Sequence, residues 1–301
     1  MAKPSTAGEW ETGLIEITPK TFAYIQGKGT MGISNAGLVL GMGAPLLVDA
    51  LMVPRLARSL KRAVKRATPV PPRYVFQTHH HIDHIGGTSV FLPADVIATE
   101  KARREIVNTG LPIERFAQFM PKFASDFELV KLAVPNIAFE RNLTLYSDSR
   151  RVELLHLGAA HTVGDAVAYL PEEQILYAGD LAFFQVTPLG FQGHIGNWIK
   201  VIDELLRMDV DQIVPGHGPV GGVSELRDMQ SYLKLVHREA KKRFDDGMSA
   251  ADAARDIDLG QYSEWAEPER INFNVGRCYQ EFAGDISPED VRAPLPALAG
   301  R

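Results

Sequence analysis

Cysteine is nearly absent: Cys278 is the single one in 301 residues, so the chain has no internal disulfide and none of the Cys-rich zinc motifs. Any bound metal must be held by histidines and carboxylates, and the thiol usage fits a reducing compartment. Excess positive charge is missing as well. Lys and Arg number 32 against 37 Asp and Glu, a formal charge of −5, so no global positive field is there to hold a phosphate backbone and nucleic acid is not an expected partner. Long apolar runs are scarce. The longest uncharged stretch, 29–48, holds five glycines and Pro45 and reads as strands and turns, with no membrane association. The opening MAKPSTAGEWE lacks the apolar core of an export signal, and the expectation is a cytoplasmic protein. What is there is ordinary for a globular chain: 45% hydrophobic and 23% charged residues, neither disordered nor fibrous.

Glycine-punctuated apolar runs at 22–25, 33–40 and 46–49 predict an opening meander. Between 54 and 66, Leu56, Leu60 and Val64 recur every four residues among Arg and Lys, the pattern of a surface helix. A strand at 73–78 runs into the loop HHHIDHIGG at 79–87, followed by a helix and a strand at 95–99. Residues 100–128 read as helical, with Phe116, Phe119, Met120, Phe123 and Phe127 at 3–4 spacing; Pro121 starts or breaks a turn. That stripe is either core, a substrate lid, or the face of a homodimer.

Strands at 142–146 and 151–157 flank a Ser-Asp-Ser turn, and further strands fall at 166–170, 175–178 and 212–214, with helices at 197–208, 224–246, 248–256 and 267–283. Strands flanked by helices in both halves, with no linker between, predict an α+β fold of two sheets face to face with helices outside. The domain expectation is a four-layer αββα sandwich over 1–230, with a helical extension, 231–301, packed on it as one structural unit.

Two short motifs lead nowhere. Gly27, Gly29 and Gly32 match G-x-G-x-x-G, with Asp49 downstream, but the phosphate needs a helix N-terminus after the third glycine and 33–40 is β-like. A hairpin loop is the reading there. No G-x-S-x-G elbow occurs, and Cys278 lies in a polar helix with no histidine near it in sequence, so covalent Ser or Cys catalysis has no support.

Histidine carries the chemistry. Four of the nine histidines, His79, His80, His81 and His84, fall within six residues, with Asp83 among them. Residues two apart on an extended segment point the same way, so His79 and His81 can grip one ion while Asp83 and His84 turn toward a second. His80, between two ligands, should point away into packing. Three more ligand types stand beside glycines at strand ends: His161 in GAAHTVG, Asp180 in AGD and His217 in PGHG. Together these residues exceed what one tetrahedral zinc uses, which predicts two ions per chain. Asp49 ends an apolar strand, where a buried carboxylate needs a partner such as a ligand histidine. His194, in a Gly-flanked loop, is either a substrate contact or simply an exposed loop residue.

In this order the motifs resemble the metallo-β-lactamase superfamily, with its H-x-H-x-D-H loop, G-x-x-H-T turn, Asp or Cys after a glycine, and final P-G-H-G; the resemblance spans 38–219. It implies one Zn2+ on His79, His81 and His161, a second on Asp83, His84 and His217, and Asp180 bridging both. Asp rather than Cys at 180 resembles the dinuclear hydrolase branch of hydroxyacylglutathione hydrolases and lactonases, although 181–197 lacks the Gly-Cys-Gly-Arg signature of the former. The implied activity is zinc-dependent hydrolysis of a small lactone, ester or β-lactam-like molecule by activated water, with Asp83 orienting that water or moving its proton. The loops at 27–34, 111–127 and 183–197 then shape the substrate pocket, with Phe116, Phe119 and Phe123 as its wall. Two other classes compete. Iron redox enzymes resembling persulfide dioxygenases or flavodiiron proteins use the same scaffold, but the flavodiiron pattern has Glu where His81 stands here. A nuclease or phosphodiesterase is disfavoured by the acidic chain.

Overall fold

The computed structural model describes residues 10–27, 32–41, 43–147 and 150–289. Gly29 of the glycine motif, with the rest of 28–31 in the 27–34 loop, and residues 148–149 of the Ser-Asp-Ser turn lie outside the described residues. The first sheet takes β1 (Gly13–Thr18), β2 (Thr21–Ile25), β3 (Ala36–Val39), β4 (Leu46–Val48), β5 (Tyr74–Phe76), β6 (Asp95–Thr99) and β7 (Ile137–Phe139) in that spatial order. Its first four strands pair antiparallel and the rest parallel. The second sheet runs β12 (Gln212–His217), β11 (Ile175–Phe183), β10 (Val167–Leu170), β9 (Arg150–Leu155) and β8 (Asn142–Ser147), with only β11 and β12 parallel. The helices are α1 (Pro54–Ala67), α2 (Ile82–Ile85), α3 (Glu100–Thr109), α4 (Ile113–Phe119), α5 (Ala124–Phe127), α6 (Ile195–Leu205), α7 (Val223–Asp245), α8 (Ala250–Asp256) and α9 (Ile271–Ala283). Among the described residues no helix is long and apolar enough to cross a membrane.

Three apolar interfaces make this an α+β sandwich of four layers. Between the sheets, Val48, Phe76 and Ile97 meet Leu154, Tyr177 and Val214. On the outer face of the first sheet, Leu60 and Val64 of α1 cover Leu38, Leu47 and Val75. On the outer face of the second, Trp198, Leu233 and Val275 cover Leu176 and Ile213. Helix α1 forms because Pro54 presets its first turn, Ala57, Leu60 and Val64 line one face, and Lys65 and Arg66 oppose the dipole at its end. Position 230 falls inside α7, whose Leu226, Leu233 and Val236 join the same core as α8 and α9.

Some boundaries move. Strand β11 continues through Phe183, with all nine residues buried, instead of ending at 178, and so carries Asp180 within it. The 100–128 segment breaks at Gly110, which adopts φ +63°, and again at Pro121. Strands β1 and β7 are not among the expected elements: one is a half-buried edge strand, the other three residues long.

Between the sheets, Tyr177 packs against β3 at Gly37, where there is no side chain. A Cβ on Gly37 would lie 2.2 Å from Cε1 of Tyr177, whose hydroxyl donates to the Phe22 carbonyl at 2.9 Å. Gly37→Ala is expected to destabilise the chain by about 1–3 kcal/mol through overpacking, and to do so far less in a Tyr177→Leu background. Urea unfolding of the four proteins measures the coupling; additive losses would contradict this contact.

Candidate metal centre

The ligand-type residues converge at one end of the sandwich because the strands that carry them end there. His79 and His81 follow β5, Asp83 and His84 ride the single turn of α2, His161 lies between β9 and β10, Asp180 is in β11, and His217 ends β12. Two groups result: His79, His81, His161 and Asp180, and then Asp83, His84 and His217, with the donor atoms of each group within 4.8 Å of one another. Asp180 joins them. Its Oδ2 lies 3.1 Å from Nε2 of His161 and 3.8 Å from Nε2 of His79. Its Oδ1 lies 3.0 Å from Nε2 of His84 and 3.4 Å from Nε2 of His217. Asp83 Oδ2 approaches the same two nitrogens of His217 and His84 at 3.3 and 3.6 Å. Nε2 of His79, Nε2 of His84 and Oδ1 of Asp180 are buried without a hydrogen bond. Buried lone-pair donors left in this state and aimed at one another fit a bound cation, and imidazole with carboxylate is a donor set for a divalent metal.

The remaining ring nitrogens are held from outside. His84 Nδ1 lies 2.8 Å from Asp49 Oδ2, and Asp49 also accepts from the Thr78 backbone N–H at 2.9 Å and the Thr78 hydroxyl at 2.8 Å. That hydroxyl is 3.0 Å from His79 Nδ1. His217 Nδ1 faces the Ile33 carbonyl at 3.0 Å, and His81 Nε2 faces Gln192 Oε1 at 2.6 Å. Contacts of this kind fix ring orientation and tautomer. Asp165 does the same for the His161 turn by accepting from the Ala160 and Thr162 N–H groups; burial raises its carboxyl to about 6. Space matters too. Gly179 turns the bulge at φ +51°, and a Cβ on Gly216 would lie 1.9 Å from Asp180 Oδ1.

Burial is the largest influence on His79, His81, Asp83, His84, Asp180 and His217. It lowers His79 and His81, assisted by neighbouring imidazoles, and leaves both as neutral donors. At His84 and His217 burial acts the same way, but the facing carboxylates of Asp180 and Asp83 outweigh it; His217 rises to about 9. Reciprocally, these histidines hold Asp83 and Asp180 below the usual carboxylate range despite burial. A raised histidine stabilises the metal-free chain fully below its unfolded value of about 6.5, and that stabilisation is lost as pH rises through about 9. A metal must displace the same proton. Metal uptake at pH 7 is therefore expected to release protons and to tighten as pH approaches 9, measured by calorimetry in buffers of different protonation enthalpy; uptake without proton release would contradict the arrangement.

A cavity of about 220 Å³ opens beside the first group, walled by Phe116, Phe119, Leu189, Phe191 and Phe273. Phe116 and Phe119 from α4 therefore line this cavity, but Phe123 does not. The turn at Pro121 rotates Phe123 inward against Phe127, beneath the Arg55 guanidinium. His194 also departs from expectation: Nδ1 accepts from the Asn197 N–H at 3.1 Å, which caps α6, and the ring lies beside Glu281 Oε2 at 3.3 Å, outside both ligand groups and the cavity lining. His80 lies outside the ligand groups; its ring packs edge-on against His81 at 4.9 Å and also forms part of the cavity wall. Its Nδ1 is buried and unpartnered, and burial lowers it to about 4, keeping the ring neutral. Gln192, Asp165 and Phe273 gave no distinct signal in the sequence.

A profile of the metallo-β-lactamase superfamily matches residues 29–217. The alpha subunit of a 2,4-dinitroanisole O-demethylase from Nocardioides sp. (strain JS1661) is 28% identical over 194 residues, covering 62% of this chain and 53% of that subunit. A type 2 metallo-β-lactamase from Bacillus sp. (strain 170) is 27% identical over 239 residues, 74% of this chain and 84% of that enzyme. Among solved structures, the sec-alkylsulfatase Pisa1 from Pseudomonas sp. superposes with a TM-score of 0.71 at 20% identity, covering 91% of this chain and 51% of the sulfatase. A metallo-β-lactamase family protein from Thermus thermophilus gives a TM-score of 0.67 at 19% identity, covering 91% of this chain and 98% of that one. The chain spans about half the length of the demethylase subunit and of the sulfatase, and the structural likenesses speak for the fold alone. With the profile covering well over half of its residues, and with the motif residues gathered into one centre, the chain belongs to the metallo-β-lactamase superfamily.

Proposed function

We propose that the protein is a dinuclear zinc hydrolase of a small carbonyl compound, an ester or lactone with an apolar body. The observation that carries this reading is the division of the two Asp180 oxygens between His79 and His161 on one side and His84 and His217 on the other. On this reading His79, His81 and His161 hold one zinc, Asp83, His84 and His217 the other, and Asp180 bridges. Zinc bound there supplies Lewis acidity and lowers the pKa of a coordinated water to about 7.

The chain's own residues do the rest. Asp83 is the most exposed carboxylate of the centre, 14% against 4% for Asp180, which suits it to take a proton from an attacking water and return it to the leaving group. Phe191 stacks on the His81 ring at 5.0 Å, and Gln192 pins that ring from its other nitrogen. The aromatic cavity beside His81 takes the substrate's apolar body and excludes water. A second reading follows from the demethylase relative, whose name specifies an aryl methyl ether; the same cavity suits an aromatic ring of that kind.

Purified protein assayed on aryl esters, lactones, β-lactams and 2,4-dinitroanisole is expected to turn over an ester or lactone at least roughly tenfold better in kcat/KM than any β-lactam. Asp180→Ala is expected to lose activity far more severely than His80→Ala, since one removes a shared ligand and the other a piece of cavity wall. Efficient turnover of several β-lactams without ester or lactone activity would overturn the substrate class, and equal losses in the two variants would overturn the bridging role.

A further inference from the structure

The cavity wall carries one full charge. Its polar lining comes from two places, His80, His81 and Gln192 at the metal centre and Thr109 and Arg115 on the α3–α4 segment, and among the described residues no carboxylate lines it. Arg115 is half-buried and, among the described residues, makes no ion pair or hydrogen bond. It lies four residues before Phe119 on α4, hence on the same helix face, and both line the cavity. An unpaired guanidinium in a mostly aromatic wall has lost part of its hydration with no partner in return, and its planar fork matches a carboxylate.

We propose that the substrate is an amphiphilic anion: an aromatic or branched aliphatic body held by Phe116, Phe119, Phe191 and Phe273, carrying a carboxylate that pairs with Arg115. This rests on the hydrolase reading only in taking the cavity as the substrate's place; the charge pairing stands whichever bond is broken. It makes Arg115 the residue that selects an anionic substrate over a neutral one of the same shape.

Calorimetric titration with 3-phenylpropionate and with 3-phenylpropan-1-ol tests the pairing on the protein as isolated. The acid is expected to bind roughly tenfold more tightly than the alcohol at low salt. Arg115→Gln should erase that ratio, Arg115→Lys keep part of it, and Arg115→Glu reverse it. If the acid keeps its advantage in Arg115→Gln, its carboxylate is going to the metal centre and the proposal fails. Equal binding of acid and alcohol to the unaltered protein would overturn it as well. A ratio that follows Arg115 in a protein that cleaves no ester would instead leave this pairing standing and remove the hydrolase reading.

Discussion

Asp180 is a carboxylate 5% exposed to solvent, with histidine nitrogens against both of its oxygens, and the surrounding structure is arranged around that pairing. Taking such a charge out of water is costly unless every lone pair is met. His161 and His79 meet one oxygen; His84 and His217 meet the other. Gly179 bends β11 to aim the side chain, and Gly216 leaves it room. Asp49 and Thr78 stand behind His84 and His79, so each ring is oriented before any cation arrives. Asp83 and Asp180 thus stand among buried imidazoles, two of which they hold protonated in the metal-free chain against the cost of burial.

The sandwich makes this possible by bringing strand ends from two sheets to one rim. Ligand-type residues after β5 and on α2 belong to the first sheet's side, those on β11 and β12 to the second, and Gly37 leaves room for Tyr177 between the sheets. The cavity draws on a wider set of elements. Phe116 and Phe119 come from α4, Phe191 from the segment before α6, and Phe273 from α9. The superfamily match ends at 217, so Phe273 belongs to a helix beyond it. The ligand-type residues thus sit in the shared part of the fold, while part of the cavity wall comes from outside it.

Much of the metal centre was legible in the sequence because its donors are chemically distinctive and, from 79 to 84, contiguous. The αββα layering was legible too, since apolar periodicity carries over from strand to strand. The outer contacts were not. Gln192 reaches His81 across 111 positions in the chain, and nothing in its neighbourhood marks it. The aromatic stripe split for a local reason: Phe116 and Phe119 share α4, whereas Pro121 ends that helix and turns Phe123 into the core. His194 looked available beside glycines, but a residue preceding a helix is in place to cap it, and its ring accepts from Asn197. His80 followed strand alternation away from the ligands; the start of α2 two residues later leaves it facing the cavity.

The central claim is that Asp180 serves two ions at once. A crystal structure of the protein loaded with zinc, with anomalous scattering recorded at the zinc edge, tests it most directly. Two peaks about 3.5–4 Å apart are expected, one among His79, His81 and His161 and one among Asp83, His84 and His217, with one Asp180 oxygen on each. A single peak in the first group, with His84 and His217 still turned to Asp180 Oδ1 and bearing no metal, would contradict it.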